Sequence, residues 1–301
     1  MSNRGTIMKT LFTRLILVIL CLSVVTAEAK RKKKPRFKPY YLVTAPASDY
    51  QTAVNQIRDK LTNSEFKLLG EYSPLADRTI FAITNDKLLE IAAKTEFGGY
   101  GSVIRVAVTN AESGVQVSHV NSTYMSYAYQ MENVAEVSAA LKDLFGETTA
   151  FGSKRGETQR SLKGYQYMMM MPEFEDHDKL ASFDSHQQAL DTVNKNLASS
   201  SGKLTKVFEI AIPGKDEVLI GVGIGEGDGG DKFIMDTIDV EELKHSAHLP
   251  YAVLVSGNKV YSQAGKFRIA LAFPDLGMGQ FMDISDAPDA IVESLEKLTK
   301  K

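Results

Sequence analysis

The apolar helical face made by Ala53, Val54, Ile57 and Leu61 returns 136 residues later as Ala189, Leu190, Val193 and Leu197. Around both faces the chain alternates between helical and strand periodicity in the same order. The first segment predicts a strand at Tyr40–Val43, the helix over Ala53–Leu61, and strands at 66–72 and 79–83 parted by Ser73, Pro74 and Asp77. A second helix follows, capped by Asn85 and carrying Leu88, Leu89 and Ala92. A hairpin (103–109 and 115–120) turns at Asn110–Gly114, and a closing helix with Val134, Val137, Leu141 and Leu144 stops at Gly146.

The second segment repeats that order. Strands are expected at Tyr165–Met171, 204–212 and 217–224, with a hairpin, 251–256 and 259–264, around Gly257-Asn258. Phe267–Phe273 reads as further strand, and Ile291, Val292 and Leu295 stand where Ala140, Leu141 and Leu144 stood, now 151 positions apart. The second copy is therefore about 15 residues longer, with the excess around Gly225–Leu249. The expected fold class is α+β: two similar βαββαββ(α) sandwich domains with mainly antiparallel sheets and helices on one face. Their expected bounds are 39–146 and 165–301, joined by a polar, Gly-containing linker, 147–164.

Residues 1–29 read as a targeting segment. Arg4, Lys9 and Arg14 precede the apolar run Leu15–Val25, and Ala27-Glu28-Ala29 offers small residues where a signal peptidase cuts. The run is shorter than the ~20 apolar residues a spanning helix needs. Cleavage predicts a periplasmic or secreted protein with no transmembrane segment, and it removes Cys21, the one cysteine of the 301-residue chain. Thiol chemistry and disulfides are thereby excluded from the mature protein. Seven of the remaining basic residues crowd into Lys30–Lys38, leaving a body with 25 basic and 36 acidic residues. That basic arm is expected either to be a solvated tail or to meet an anionic surface, with no specific nucleic-acid partner.

One stretch resembles a known family. His248-Leu249-Pro250-Tyr251-Ala252-Val253-Leu254-Val255, with the turn at Gly257 and the terminal amphipathic helix, is similar to the bacterial domain of unknown function 302 (TT-1751-like). Leu249-Pro250 fits its pattern, whereas Tyr251-Ala252 departs from the usual polar pair and the first copy, Gly101-Ser102-Val103-Ile104, lacks the Leu-Pro step. The resemblance covers about a third of the chain, implies a compact α+β sandwich in two divergent copies, and carries no activity with it.

Candidate chemistry is sparse. Met168–Met171 near His177 and His186 suggests a soft copper site, although in a strand only alternate residues such as Met168 and Met170 could converge, and core packing is the competing expectation. His245 and His248 have a spacing that would share a helical face. Glu226, Asp228 and Asp231 in the loop 225–231 could surround calcium, without the complete twelve-residue calcium-loop pattern. Asp184-Ser185-His186 has triad residue types, yet adjacency is not a triad, and Ser185 or Asp184 reads as a helix cap. No cofactor is required by any of this. The expectation is a non-catalytic binding or interaction protein; a copper-handling protein and a hydrolase with an unadvertised site are the alternatives.

Overall fold

The computed structural model of the chain describes residues 34–44 and 49–300. Its first half runs β1 (Arg36–Phe37), β2 (Tyr40–Val43), α1 (Tyr50–Thr62), β3 (Lys67–Leu75), β4 (Arg78–Thr84), α2 (Asp86–Ala93), a 3-10 turn (Gly98–Gly101), β5 (Ile104–Ala111), β6 (Gly114–Val120), α3 (Ser122–Ala128), α4 (Ala135–Phe145) and β7 (Thr148–Phe151). The second half runs β8 (Glu157–Thr158), α5 (Gln159–Lys163), β9 (His177–Ser182), α6 (His186–Ser199), β10 (Leu204–Ala211), β11 (Glu217–Ile224), α7 (Asp231–Ile238), a 3-10 turn (Ser246–His248), β12 (Tyr251–Ser256), β13 (Lys259–Gln263), α8 (Gly265–Ala272), α9 (Met278–Asp283) and α10 (Ala287–Glu296), ending in a 3-10 turn.

The repeat is present at the level of topology. One sheet has the order β3-β4-β5-β6-β2-β7, the other β10-β11-β12-β13-β9, and every pairing is antiparallel. Apart from β7, the two orders correspond strand for strand. The recurring helix begins each time at a side-chain cap: Asp49 Oδ1 accepts from Thr52 N at 3.0 Å, and Ser185 Oγ accepts from Gln188 N at 3.2 Å. α1 buries Ala53, Val54, Ile57 and Leu61 on its own sheet, and α6 buries Ala189, Val193 and Leu197 on the other.

Three expectations need correction. Tyr165–Met171 is not the opening strand; β9, at His177–Ser182, takes that place and pairs with β13 from Gln263↔His177 to Lys259↔Ser182. Met168, Met169 and Met170 stand in a turn closed by Gln166 Nε2 donating to Met171 O, and they are 45%, 87% and 91% exposed. Their apolar character therefore does not serve the core. Phe267–Phe273 lies mostly in the helix α8; because Gly265 and every residue from Phe267 to Ala272 are buried, the run offers no one-sided periodicity to distinguish helix from strand. The segment expected as a linker contains β7, which extends the first sheet beside β2, and β8, which pairs with β1.

Residues Arg36–Lys301 form one compact unit, and one continuous core runs through both halves. β4 and β11 are buried at every position, as strands covered on both faces must be. Each half lends its 3-10 turn to the other: Gly98–Gly101 packs on β11 and β12, and Ser246–His248 packs on β4, β5 and β6. The edge strands β3 and β10 meet where both are bulged, and a Cβ at Gly70 would lie 1.9 Å from Val207 O. The last turn of α8 leaves carbonyls without helical partners. Three tyrosines supply them: Tyr165 Oη donates to Ala270 O (2.8 Å), Tyr124 Oη to Leu271 O (3.1 Å) and Tyr40 Oη to Ala272 O (3.2 Å).

Candidate binding site between the halves

The exchange of turns places polar residues from both halves along one seam. At its outer end lies a cleft of about 670 Å³ with Arg78, Asn110 and Glu112 on the first-half wall and Glu242 and Lys244 on the other. Gln116 fixes the second wall, donating from Nε2 to Glu242 O at 2.7 Å and accepting from Lys244 N at 3.0 Å. The floor is an ion pair between halves, Arg78 Nη1 to Asp239 Oδ2 at 2.5 Å, with side chains only 8% and 1% exposed. Asp239 Oδ1 accepts from His245 N at 2.8 Å, while Ser246 Oγ lies 3.3 Å from Arg78 Nη1 and 2.9 Å from Thr109 Oγ1. Such a pair is stable only while its lone pairs and protons stay satisfied: the His245 amide serves Asp239 Oδ1 and the Ser246 hydroxyl serves Arg78 Nη1, while Arg78 Nε lies 3.7 Å from Asp77 Oδ1 without a hydrogen bond.

Behind the floor the seam continues inward. His245 Nδ1 is bonded to Ala272 O at 3.1 Å, and its ring stacks 4.7 Å from Phe273 and lies tilted 4.9 Å from Tyr40. His248 Nδ1 is bonded to His245 O at 3.2 Å. Because a carbonyl only accepts, each Nδ1 carries the proton and each Nε2 a lone pair. Burial keeps both rings neutral by lowering their pKa values, and for His248 the Arg268 charge adds to the effect. Arg268, on α8, donates from Nη2 to His248 O. Arg105, on β5 of the other half, faces Tyr129 Oη in a contact outside ordinary hydrogen-bond geometry. Burial, with Arg268 close by, pushes the Arg105 pKa down to about 10. Asp231, at the start of α7, accepts from Tyr72 Oη at 2.7 Å and from Ile224 N at 3.1 Å, and burial raises its pKa to about 7.

The residues singled out in the sequence are placed differently. Glu226 is a surface residue paired with Lys203 at 2.8 Å, Asp228 is exposed, and Asp231 is buried 1% exposed. The calcium arrangement is thus not assembled. His245 and His248 sit at a 3-10 turn, each tied to a backbone carbonyl rather than to a shared ion position. Among the described residues no group of three His, Cys, Asp or Glu side chains is placed to hold a metal. Met168 and Met170 are in the exposed turn, not on one strand face. Ser185 caps α6 and His186 Nδ1 is bonded to Gly257 O at 2.9 Å, so that trio makes no nucleophile–base contact. Asp239, His245 and Ser246 have the same residue types, but Ser246 Oγ is engaged by Thr109 and Arg78 while the His245 ring is tied to Ala272 O.

Residues 1–29 and Lys30–Lys33 lie outside the described residues. The end of the basic arm is held to the body through Arg36 Nη1 donating to Gly156 O at 2.7 Å and through β1 pairing with β8. Sequence reasoning missed Arg78, Arg105, Asp239 and Arg268. A readable signal existed for two of them: Arg105 is the one charge in the apolar run 103–108, and Arg268 the one charge in 267–273. Among the described residues no helix is long and apolar enough to cross a membrane. Comparison with known protein families, curated proteins and solved structures finds no match for the chain.

Proposed function

We propose that this chain is an exported, non-catalytic binding protein whose two like halves hold a small polar ligand in the cleft between them. The observation that carries the reading is that the cleft draws its walls from both halves and stands on the buried Arg78–Asp239 pair. A site formed only when two halves meet is a common location for ligands. The rim offers both signs of charge, Lys244 against Glu112 and Glu242, which suits a zwitterionic or mixed-charge ligand better than a hydrocarbon one. Lys30–Lys38 would tether the acidic body to an anionic surface, a contact weakened by salt because exposed charges are screened over about 8–10 Å.

The test is a thermal-shift screen of the chain from Lys30 onward against amino acids, short peptides and polar metabolites. Ligands that bind in the cleft should lose at least tenfold in affinity on Lys244→Ala and Glu112→Ala. Hits indifferent to both substitutions would overturn the reading.

Copper handling is the second reading, and it rests on exposed methionines. Tyr167 stacks on Phe281 at 6.5 Å and donates from its hydroxyl to Leu276 O, which brings the Met168–Met170 turn beside α9, where Met278 and Met282 are 53% and 62% exposed. Thioethers are soft ligands that select Cu(I). A Cu(I) titration under reducing conditions should then show stoichiometric binding that is lost on Met278→Leu with Met282→Leu; binding unchanged by those substitutions would remove this reading.

A further inference from the structure

We propose that the buried centre of the seam binds a small oxyanion, gripped by the guanidinium groups of Arg105 and Arg268 and by the Tyr251 hydroxyl. This goes beyond the cleft ligand and uses other residues. Arg105 comes from one half and Arg268 from the other, and each is 3% exposed. Arg268 spends Nη2 on His248 O, while its Nη1, Arg105 Nε and Tyr251 Oη have no hydrogen-bonding partner in the protein. Tyr251 lies under Arg268, 5.9 Å from ring centroid to guanidinium carbon, and beside the His248 ring at 5.9 Å. Arg268 Nη1 and Tyr251 Oη thus meet at one buried place, and the Arg105 charge acts on Arg268 and His248 there.

The charges around them do not balance. Asp231 is a carboxyl group on which Arg268 acts; its Oδ2 is bonded to Tyr72 and Ile224, its Oδ1 has no partner, and burial keeps it largely protonated up to about neutral pH. Burial keeps Tyr40 and Tyr251 neutral phenols at that pH, His248 is neutral, and Asp239 is committed to Arg78. Two like charges buried without a full counter-charge are costly, and an oxyanion between the guanidiniums supplies both the charge and the acceptors. His248 refines the class. Its Nε2 lone pair is buried and unpartnered, so it accepts from an oxygen that carries a proton. Hydrogenphosphate and small hydroxycarboxylates have such an oxygen; sulfate at neutral pH does not.

The test is the thermal midpoint of the mature chain titrated with phosphate, lactate, sulfate and chloride at constant ionic strength. Phosphate or lactate should raise it by about 5–10 °C at a hundredfold excess over Kd, with sulfate at least tenfold weaker; phosphate against lactate separates the two sources of the oxyanion. Arg105→Met should melt in chloride no lower than the parent, since a buried repulsion is relieved, and should lose the anion-dependent rise. Should that variant fail to fold, arginine side-chain NMR of the parent must show a guanidinium resonance shifting with phosphate or lactate. Lys244→Ala must leave the rise intact, which separates this site from the cleft. Equal midpoints in all four salts, a rise that survives Arg105→Met, a rise lost on Lys244→Ala, or unmoved arginine resonances would each overturn the proposal.

Discussion

Replacing Arg78 with Met removes the buried cation that joins β4 of the first half to Asp239 of the second. Asp239 would keep the bond from His245 N at 2.8 Å but lose the 2.5 Å partner of Oδ2, at a side chain only 1% exposed. Ser246 would retain Thr109 at 2.9 Å, so the loss falls mainly on the carboxylate. Breaking one partner out of a buried pair costs about 3–5 kcal/mol. With one bond retained, the lower part of that range, about 3–4 kcal/mol, applies. At about 2–4 °C per kcal/mol for a chain of this size, the thermal midpoint should drop by roughly 6–16 °C. Urea denaturation followed by far-ultraviolet circular dichroism measures it, with Asp239→Asn and the double variant completing a cycle. The double variant should lose at least 1.5 kcal/mol less than the two singles together. A loss under 1 kcal/mol, or additive singles, would refute the assignment of this pair as a structural bridge between the halves.

Tyr124→Phe should cost about 1–3 kcal/mol by leaving Leu271 O, at the end of α8, without its 3.1 Å donor; urea midpoints within error of the parent would mean that the tyrosines do not cap that helix. Asp231 binds a proton more tightly folded than unfolded, since its pKa rises from 3.8 to about 7, so its contribution to stability is complete at low pH and is lost as pH climbs through 7. Asp231→Asn should therefore gain on the parent by a few kcal/mol between pH 4 and pH 8, measured by urea melts across that range, and parallel pH curves would contradict it. His119 runs oppositely: burial lowers its pKa to about 4, so stability is complete above about pH 6.5 and falls as pH drops toward 4, a limb that His119→Phe should flatten.

How much of this was legible beforehand follows from which residues face one way and which face two. α1 and α6 each bury a stripe and expose the rest, and their recurrence announced the two like halves. The hairpin strands β12 and β13 were framed by Gly257-Asn258 and appear with bounds close to those expected. α8 reads as a strand in the sequence because it is enclosed on all sides, which erases periodicity. Met168–Met171 misled for the opposite reason: an apolar run with no core to enter. The polar seam was illegible as a whole, because it exists only once Ser246–His248 of one half is laid against β4–β6 of the other, and no spacing within either half encodes that meeting. Its one trace in the sequence is a single arginine inside each of two apolar runs, Arg105 and Arg268.

The seam between the halves is the proposed place where ligand is held. Two-dimensional NMR of the isotopically labelled mature chain, titrated with the strongest hit of the ligand screen, addresses it directly. A ligand held there should shift the Arg78 side chain and the amides of Glu112, Glu242 and Lys244, which line the cleft from both sides. Shifts confined to the Met168–Met170 turn and α9, with Arg78 and Lys244 unmoved, would contradict it.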